Sequence, residues 1–157
     1  MSITFERILC PTDFSELAEH AVGFAKRLAS VFDSQLYCCH VVDEAYQYWS
    51  SMGPESIPVV PATNELLELA GSRMEKWVAA HYADLAGPVI THLSVGRPFA
   101  DIIAYSRQES IDLIVMATHG RGAISHLLLG STTEKVVRKA PCAVMTVRSN
   151  REGFVMP

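Results

Sequence analysis

Ile111-Asp112-Leu113-Ile114-Val115-Met116-Ala117, followed at once by Thr118-His119-Gly120, is apolar apart from Asp112 and does not alternate polar with apolar residues. A strand with one wet face alternates. A strand without alternation is buried on both faces, as in parallel sheets covered by helices. Residues 111–117 therefore predict an inner strand of an α/β sheet, with turn residues directly after it.

The same texture recurs on both sides of this run. Residues 7–13 (Arg-Ile-Leu-Cys-Pro-Thr-Asp) form a short apolar strand closed by turn residues, and residues 35–42, 89–95 and 143–147 supply three more strands. Helical periodicity fills the gaps between them. After Ser15, a suitable N-cap with Glu16 and Glu19 near the positive helix end, Leu17, Ala18, Ala21, Val22, Ala25, Leu28, Ala29 and Phe32 lie on one face. Asp33-Ser34 ends that helix. Leu66, Leu67, Ala70, Met74, Trp77, Val78, His81 and Leu85 trace the apolar side of a long second helix, with Gly87-Pro88 as its stop. Pro98 suits the first turn of a third helix, on which Phe99, Ile102, Ile103 and Ser106 share one side. Ser131-Thr132-Thr133-Glu134 has the capping-box pattern and opens a fourth. Residues 44–61, with three prolines and Tyr46, Tyr48 and Trp49, read as a long loop whose aromatics cover a ligand cleft or, the favoured reading, pack on the surface.

The order β-α-β-α-β-α-β-α-β, with right-handed crossovers, predicts a doubly wound five-stranded parallel sheet of order 3-2-1-4-5, helices on both faces, a Rossmann-like α/β fold. One domain is expected over residues 1–148, with a loose tail at 149–157; the 157 residues match a single domain of about 100–200. The composition is 49% hydrophobic and 19% charged, that of a folded globular chain. The net charge of −4, from 13 basic and 17 acidic residues, argues against a nucleic-acid partner. No apolar run approaches the ~20 residues of a membrane span, and residues 1–7 have no signal-peptide layout, so a cytoplasmic location is expected. Cys10, Cys38, Cys39 and Cys142 form no C-x-x-C pair and read as buried thiols in a reducing compartment rather than zinc ligands.

In such a sheet the ligand crevice opens outside the strand ends where the order reverses, here between strands 1 and 4. Pro11, Thr12 and Asp13 follow strand 1; Met116 and Ala117 end strand 4 and lead into Gly120, Arg121 and Gly122, and then Gly130, Ser131 and Thr132. Gly120 and Gly130 bracket a stretch that runs into a helix start, where unpaired N–H groups and hydroxyls suit phosphate. The bland alternative is a turn-rich loop and an ordinary capped helix. The stretch is neither a Walker A loop nor G-x-G-x-x-G, since no Gly-Lys-Ser/Thr closes it and Ser125 stands at the third glycine position. Asp13 alone could merely cap the next helix. His119 and His126 could touch phosphate but read better as surface or packing residues, Arg121 reads equally as a phosphate contact or a solvated side chain, Arg97 is weaker still, and His40 near Asp13 is a poor basis for a metal pair.

Gly120, nine further residues, Gly130 and Ser131 resemble the second half of the signature of the universal stress protein family, ATP-binding branch. The likeness runs from Arg7 to about Arg148 and includes Pro-Thr-Asp-Phe-Ser at 11–15, Asp-Leu-Ile-Val-Met at 112–116 and Arg-Lys-Ala-Pro-Cys-Ala-Val before the last strand. It implies an adenine-nucleotide site for ATP, ADP or AMP. Asp13 and the Val41 backbone would lie at the adenine end, Met116 and Ala117 along the nucleoside, and Gly120, Gly130, Ser131 and Thr132 at ribose and phosphates. The chain departs from the motif at Ala117, where the first glycine is expected. A methyl there crowds the nucleotide or shifts its pose.

Phosphoryl transfer needs a cation on the phosphates, carboxylates for metal and a residue to orient the nucleophile. Residues 117–132 contain neither Lys nor carboxylate, so slow or no hydrolysis is expected, with any Mg²⁺ arriving on the nucleotide's own phosphates. A phospho-acceptor receiver lacks its acceptor Asp after strand 3 and its Lys after strand 5, and a flavin carrier lacks a Ser/Thr-rich loop after strand 1. The serious rival is a nucleotide-free dimeric interaction module of the same fold. Ala143, Val144, Met145 and Val147, apolar on both faces at a sheet edge, predict a two-fold homodimer through residues 143–148 in either case, and the resemblance implies the same.

Overall fold

A computed structural model describes residues 3–45, 62–119 and 129–148. Strand β1 (Arg7–Pro11) lies at the centre, with Ile8, Leu9 and Cys10 wholly buried. Helix α1 (Glu16–Phe32) follows; Ser15 Oγ caps it by accepting from the Ala18 N–H at 3.3 Å, and Asp33, at φ 55°, ends it in the left-handed region. Its buried face is mostly alanine (Ala18, Ala21, Ala25, Ala29), which brings the helix close to the sheet. Strand β2 (Gln35–Asp43), helix α2 (Thr63–His81), strand β3 (Ile90–Gly96), helix α3 (Pro98–Gln108), strand β4 (Leu113–Ala117), helix α4 (Ser131–Lys139) and strand β5 (Ala143–Val147) complete the described elements.

The five strands pair in parallel in the order β3-β2-β1-β4-β5, as expected from the alternation of strands and helices. Successive side chains of each strand enter opposite layers. Ile8, Cys10, Leu36, Cys38, Leu113 and Val115 pack under α1 and α2 with Met74 and Trp77. Leu9, Tyr37, Cys39, Val41, Ile114 and Met116 pack under α3 and α4 with Ile102, Tyr105 and Val136. Each large side chain so buried contributes about 1.5–3 kcal/mol, which is why none of the inner strands can carry a polar face.

Asp112, the polar residue in the apolar run, stands just before β4 as an acceptor. Its Oδ2 takes the N–H groups of Glu6 and Arg7, both at 2.9 Å, while its own N–H donates to the Arg7 carbonyl at 3.0 Å. The Arg7 guanidinium in turn donates to the Glu109 carbonyl at 2.9 Å. One carboxylate thus sets the entry of β1 against that of β4.

Three expectations need correcting. Helix α2 stops at His81, not at Gly87-Pro88; the Tyr82 N–H closes onto the Val78 carbonyl, and Leu85 packs against the core from the turn beyond. Helix α4 is capped by Gly130, with Ser131 its first residue and no side-chain cap, so the capping-box reading of Ser131 fails. Of the long loop expected at 44–61, Glu44 and Ala45 are helical, and residues 46–61 lie outside the described part, as do residues 149–157. All four cysteines are free; Cys10, Cys38 and Cys39 are buried, and Cys142 only partly. Among the described residues no helix is long and apolar enough to cross a membrane.

Candidate functional site

A cavity of about 530 Å³ opens at the C-terminal ends of β1, β2 and β4, where the sheet order reverses. Pro11, Thr12, Asp13, Val41, Met116, Ala117, Gly130, Ser131 and Thr132 all line it. Gly120, Arg121 and Gly122 lie outside the described residues, as does His126.

The first wall is the turn after β1. The Thr12 N–H extends the ladder by donating to the Cys39 carbonyl at 2.8 Å. Thr12 Oγ1 accepts from the Phe14 N–H at 2.9 Å, and Asp13 Oδ1 accepts from the Ser15 N–H at 3.0 Å and from Ser15 Oγ at 2.5 Å. Asp13 therefore organises the start of α1 and lines the cavity as well; the two sequence readings are compatible. His40 Nδ1 lies 2.8 Å from the Thr12 carbonyl, which can only accept, so the proton sits on Nδ1.

The opposite wall is built from β4 and α4. The Thr118 N–H donates to the Val147 carbonyl at 2.9 Å, and the Gly130 N–H donates to the Thr118 carbonyl at 2.7 Å. The buried Thr133 hydroxyl donates to the Ala117 carbonyl at 2.9 Å. These bonds pin the start of α4 to the end of β4. The first helical amide bonded within the helix is that of Glu134, to the Gly130 carbonyl, so the amides of Ser131, Thr132 and Thr133 have no acceptor inside α4. Gly130 has φ −67° and ψ 156°, an ordinary extended backbone. What glycine supplies here is the missing side chain beside the cavity, not a left-handed turn.

The third wall was not anticipated. Leu66, Leu69, Ala70 and Arg73 of α2 line the cavity, and Pro98 and Ile102 of α3 close it below. Leu69 is largely exposed at this mouth. A large solvent-facing leucine one residue from the buried Ala70 was the available signal. Asp13, Asp43 and Arg73 are the carboxylates and the Lys/Arg cation among the described lining residues. Cys39 also lines the cavity, but burial, then neighbouring Cys10 and Asp101, hold its thiol protonated far above the ordinary range, so it offers no nucleophile. Among the described residues no group of three or more His, Cys, Asp or Glu could hold a metal ion.

This geometry, a parallel sheet with a crevice at its reversal point and a helix start beside it, defines a doubly wound, Rossmann-like α/β domain. The universal stress protein family model matches residues 4–148. The chain is 30% identical to the universal stress protein MJ0577 of Methanocaldococcus jannaschii over 159 residues, covering 94% of this chain and 98% of that one. The solved structure of MJ0577 superimposes with a TM-score of 0.79 at 29% identity, over 96% of this chain and 100% of the other. Two more distant structures share the fold: a universal stress protein in complex with cAMP (TM-score 0.68, 19% identity, 92% of this chain and 98% of the other) and one from Archaeoglobus fulgidus in complex with dAMP (TM-score 0.63, 18% identity, the same coverages). The chain belongs to the universal stress protein family.

Proposed function

We propose that the crevice binds an adenine nucleotide (ATP, ADP or AMP) and that occupancy, rather than turnover, is the signal. The observation that carries this is convergence: every expected binding residue within the described part of the chain lines one cavity. Its volume of about 530 Å³ lies within the ~300–1,000 Å³ of small-molecule sites. The β1 turn and Val41 would receive the adenine and ribose. The amides that lack a helical acceptor at the start of α4, with the Ser131 and Thr132 hydroxyls, would receive phosphate. The nucleotides carried by two fold relatives support the class of ligand.

Residues 1–148 would form this binding domain, with 149–157 as a tail. Hydrolysis would be slow or absent, and Mg²⁺ would enter with the nucleotide's own phosphates. We further propose a cytoplasmic homodimer joined through residues 143–148, because Ala143 and Met145 stand exposed on the edge strand. The rival, a nucleotide-free interaction module, rests on the Ala117 methyl at the cavity wall.

The test is the nucleotide content of freshly purified protein, released by denaturation and chromatographed, beside Gly130→Asp. The extended backbone at Gly130 is one that aspartate adopts without strain, and the variant places charge and bulk at the phosphate end. Nucleotide near one per chain, absent from the variant, is the expected result. An empty protein that also ignores millimolar ATP in a thermal-shift assay would hand the site to the interaction-module reading. ATP turnover well above the Gly130→Asp control would overturn the occupancy mechanism.

A further inference from the structure

Phe14 follows Asp13 directly and has φ 62°, a left-handed backbone that a bulky aromatic residue seldom adopts. Strain of that kind, about 1–3 kcal/mol, persists only where the surroundings over-determine it. Here three side chains do so. The ring lies 4.3 Å from the His40 ring at 39°, meets Trp77 edge-on at 5.7 Å, and carries the Arg73 guanidinium 4.7 Å from its centroid. His40 belongs to β2, and Arg73 and Trp77 to α2. Trp77 continues the contact to His81 at 4.1 Å, and His81 reaches Glu19 of α1 at 3.7 Å. One ring thus joins the turn that holds Asp13 to the helix that forms the third wall.

We infer that Phe14 is a positioning residue: its ring clamps the 12–15 turn between β2 and α2, holds the Asp13 carboxylate at the cavity, and couples the contents of the crevice to α2. Without the ring, nothing holds the turn between β2 and α2, and the paired bonds from Ser15 to Asp13 Oδ1 lose their fixed geometry. Because coupling is reciprocal, a ligand that holds Asp13 also steadies Arg73 and Trp77. The α2 surface is then where occupancy is read. This inference rests on the nucleotide reading only for the identity of the ligand.

Two variants separate the ring from the backbone. Phe14→Gly relieves the left-handed strain and removes the ring; Phe14→Leu keeps most of the volume and removes the aromatic contacts. Both are made in a Trp49→Phe background, which leaves Trp77 as the single indole. Without nucleotide, hydrogen exchange over residues 12–18 should quicken about tenfold in both variants, the scale of losing one aromatic pair. With ATP, the dissociation constant should rise about tenfold, and the change in Trp77 emission expected with Phe14 in place should vanish. Exchange unchanged in both variants overturns the clamp. Faster exchange with ATP affinity and the Trp77 response intact overturns the positioning role and leaves Phe14 a packing residue. If the protein with Phe14 in place takes no ATP, the nucleotide reading falls by itself, and the exchange result still decides the clamp.

Discussion

Thr133 ties the start of α4 to the end of β4, and the strength of that tie can be measured with two substitutions. Its hydroxyl donates to the Ala117 carbonyl at 2.9 Å, and Thr133 is 4% exposed, so the donor side of the bond is closed to water. Thr133→Val keeps the shape and removes the donor. A buried acceptor that loses its partner costs about 1–3 kcal/mol; taking about 2 kcal/mol, and about 2–4 °C per kcal/mol for a domain of this size, Tm falls by about 4–8 °C. Thr133→Ser keeps the donor and loses one methyl, about 0.8 kcal/mol, or about 2–3 °C. Calorimetry should therefore rank the native chain first, Thr133→Ser second and Thr133→Val last. The order is the decisive observation. If burial of the methyl outweighs the hydrogen bond, Thr133→Val is the more stable of the two variants and the reasoning fails. ATP affinity should follow the same order, because the bond also sets where the α4 amides stand.

Ala117→Gly should tighten ATP about three- to tenfold by removing the methyl at the cavity wall, and lower stability by about 0.5–1 kcal/mol as glycine loosens the strand. Titration calorimetry showing unchanged affinity would mean the methyl is not in the ligand's way. Met145, 37% exposed on β5, should disrupt the dimer when replaced by lysine; light scattering at micromolar concentration would show Met145→Lys as monomer and the native chain as dimer, and a monomeric native chain would contradict the interface. Burial pushes the Cys10 thiol from 9.0 up to about 12. The fold keeps that thiol protonated while the unfolded chain releases its proton, so the contribution is whole below pH 9 and is lost as pH rises from 9 towards 12, at about 1.4 kcal/mol per pH unit. Cys38 and Cys39 shift in the same direction. Urea midpoints between pH 8 and 10.5 should fall with a shallower slope in Cys10→Ala; equal slopes would refute the assignment.

The sheet was legible because its inner strands β1, β2 and β4 are buried on both faces, and burial leaves its mark along the whole strand. Strand β5 begins and ends where its apolar run does, and β4 is trimmed only at Ile111 and Asp112, where the carboxylate takes up the chain's entry. The crevice was legible through topology and the glycine motif. What local spacing could not carry were choices made by distant partners. The Thr133 hydroxyl spends itself on Ala117, sixteen residues back, and the helix is capped by Gly130 instead of Ser131. The α2 wall escaped because periodicity sorts residues into core and solvent, and a cavity is neither: Leu69 and Arg73 lie off the apolar stripe yet line the site. The left-handed backbone of Phe14 has no signal in an aromatic side chain, whose ordinary preference is the reverse.

The central place of β1 has a consequence for how the chain is made. Of the five strands β1 is made first, yet its far side is completed only when β4 arrives, after β2 and β3. At about 5–20 residues per second, the span between the end of β2 and the end of β4 takes roughly 4–15 s to synthesise. Throughout that interval Ile8, Leu9 and Cys10, wholly buried in the finished domain, border an unpaired edge. The nascent chain is therefore most open to holdase chaperones, and to pairing with neighbouring chains on a polysome, just before Leu113–Ala117 emerges.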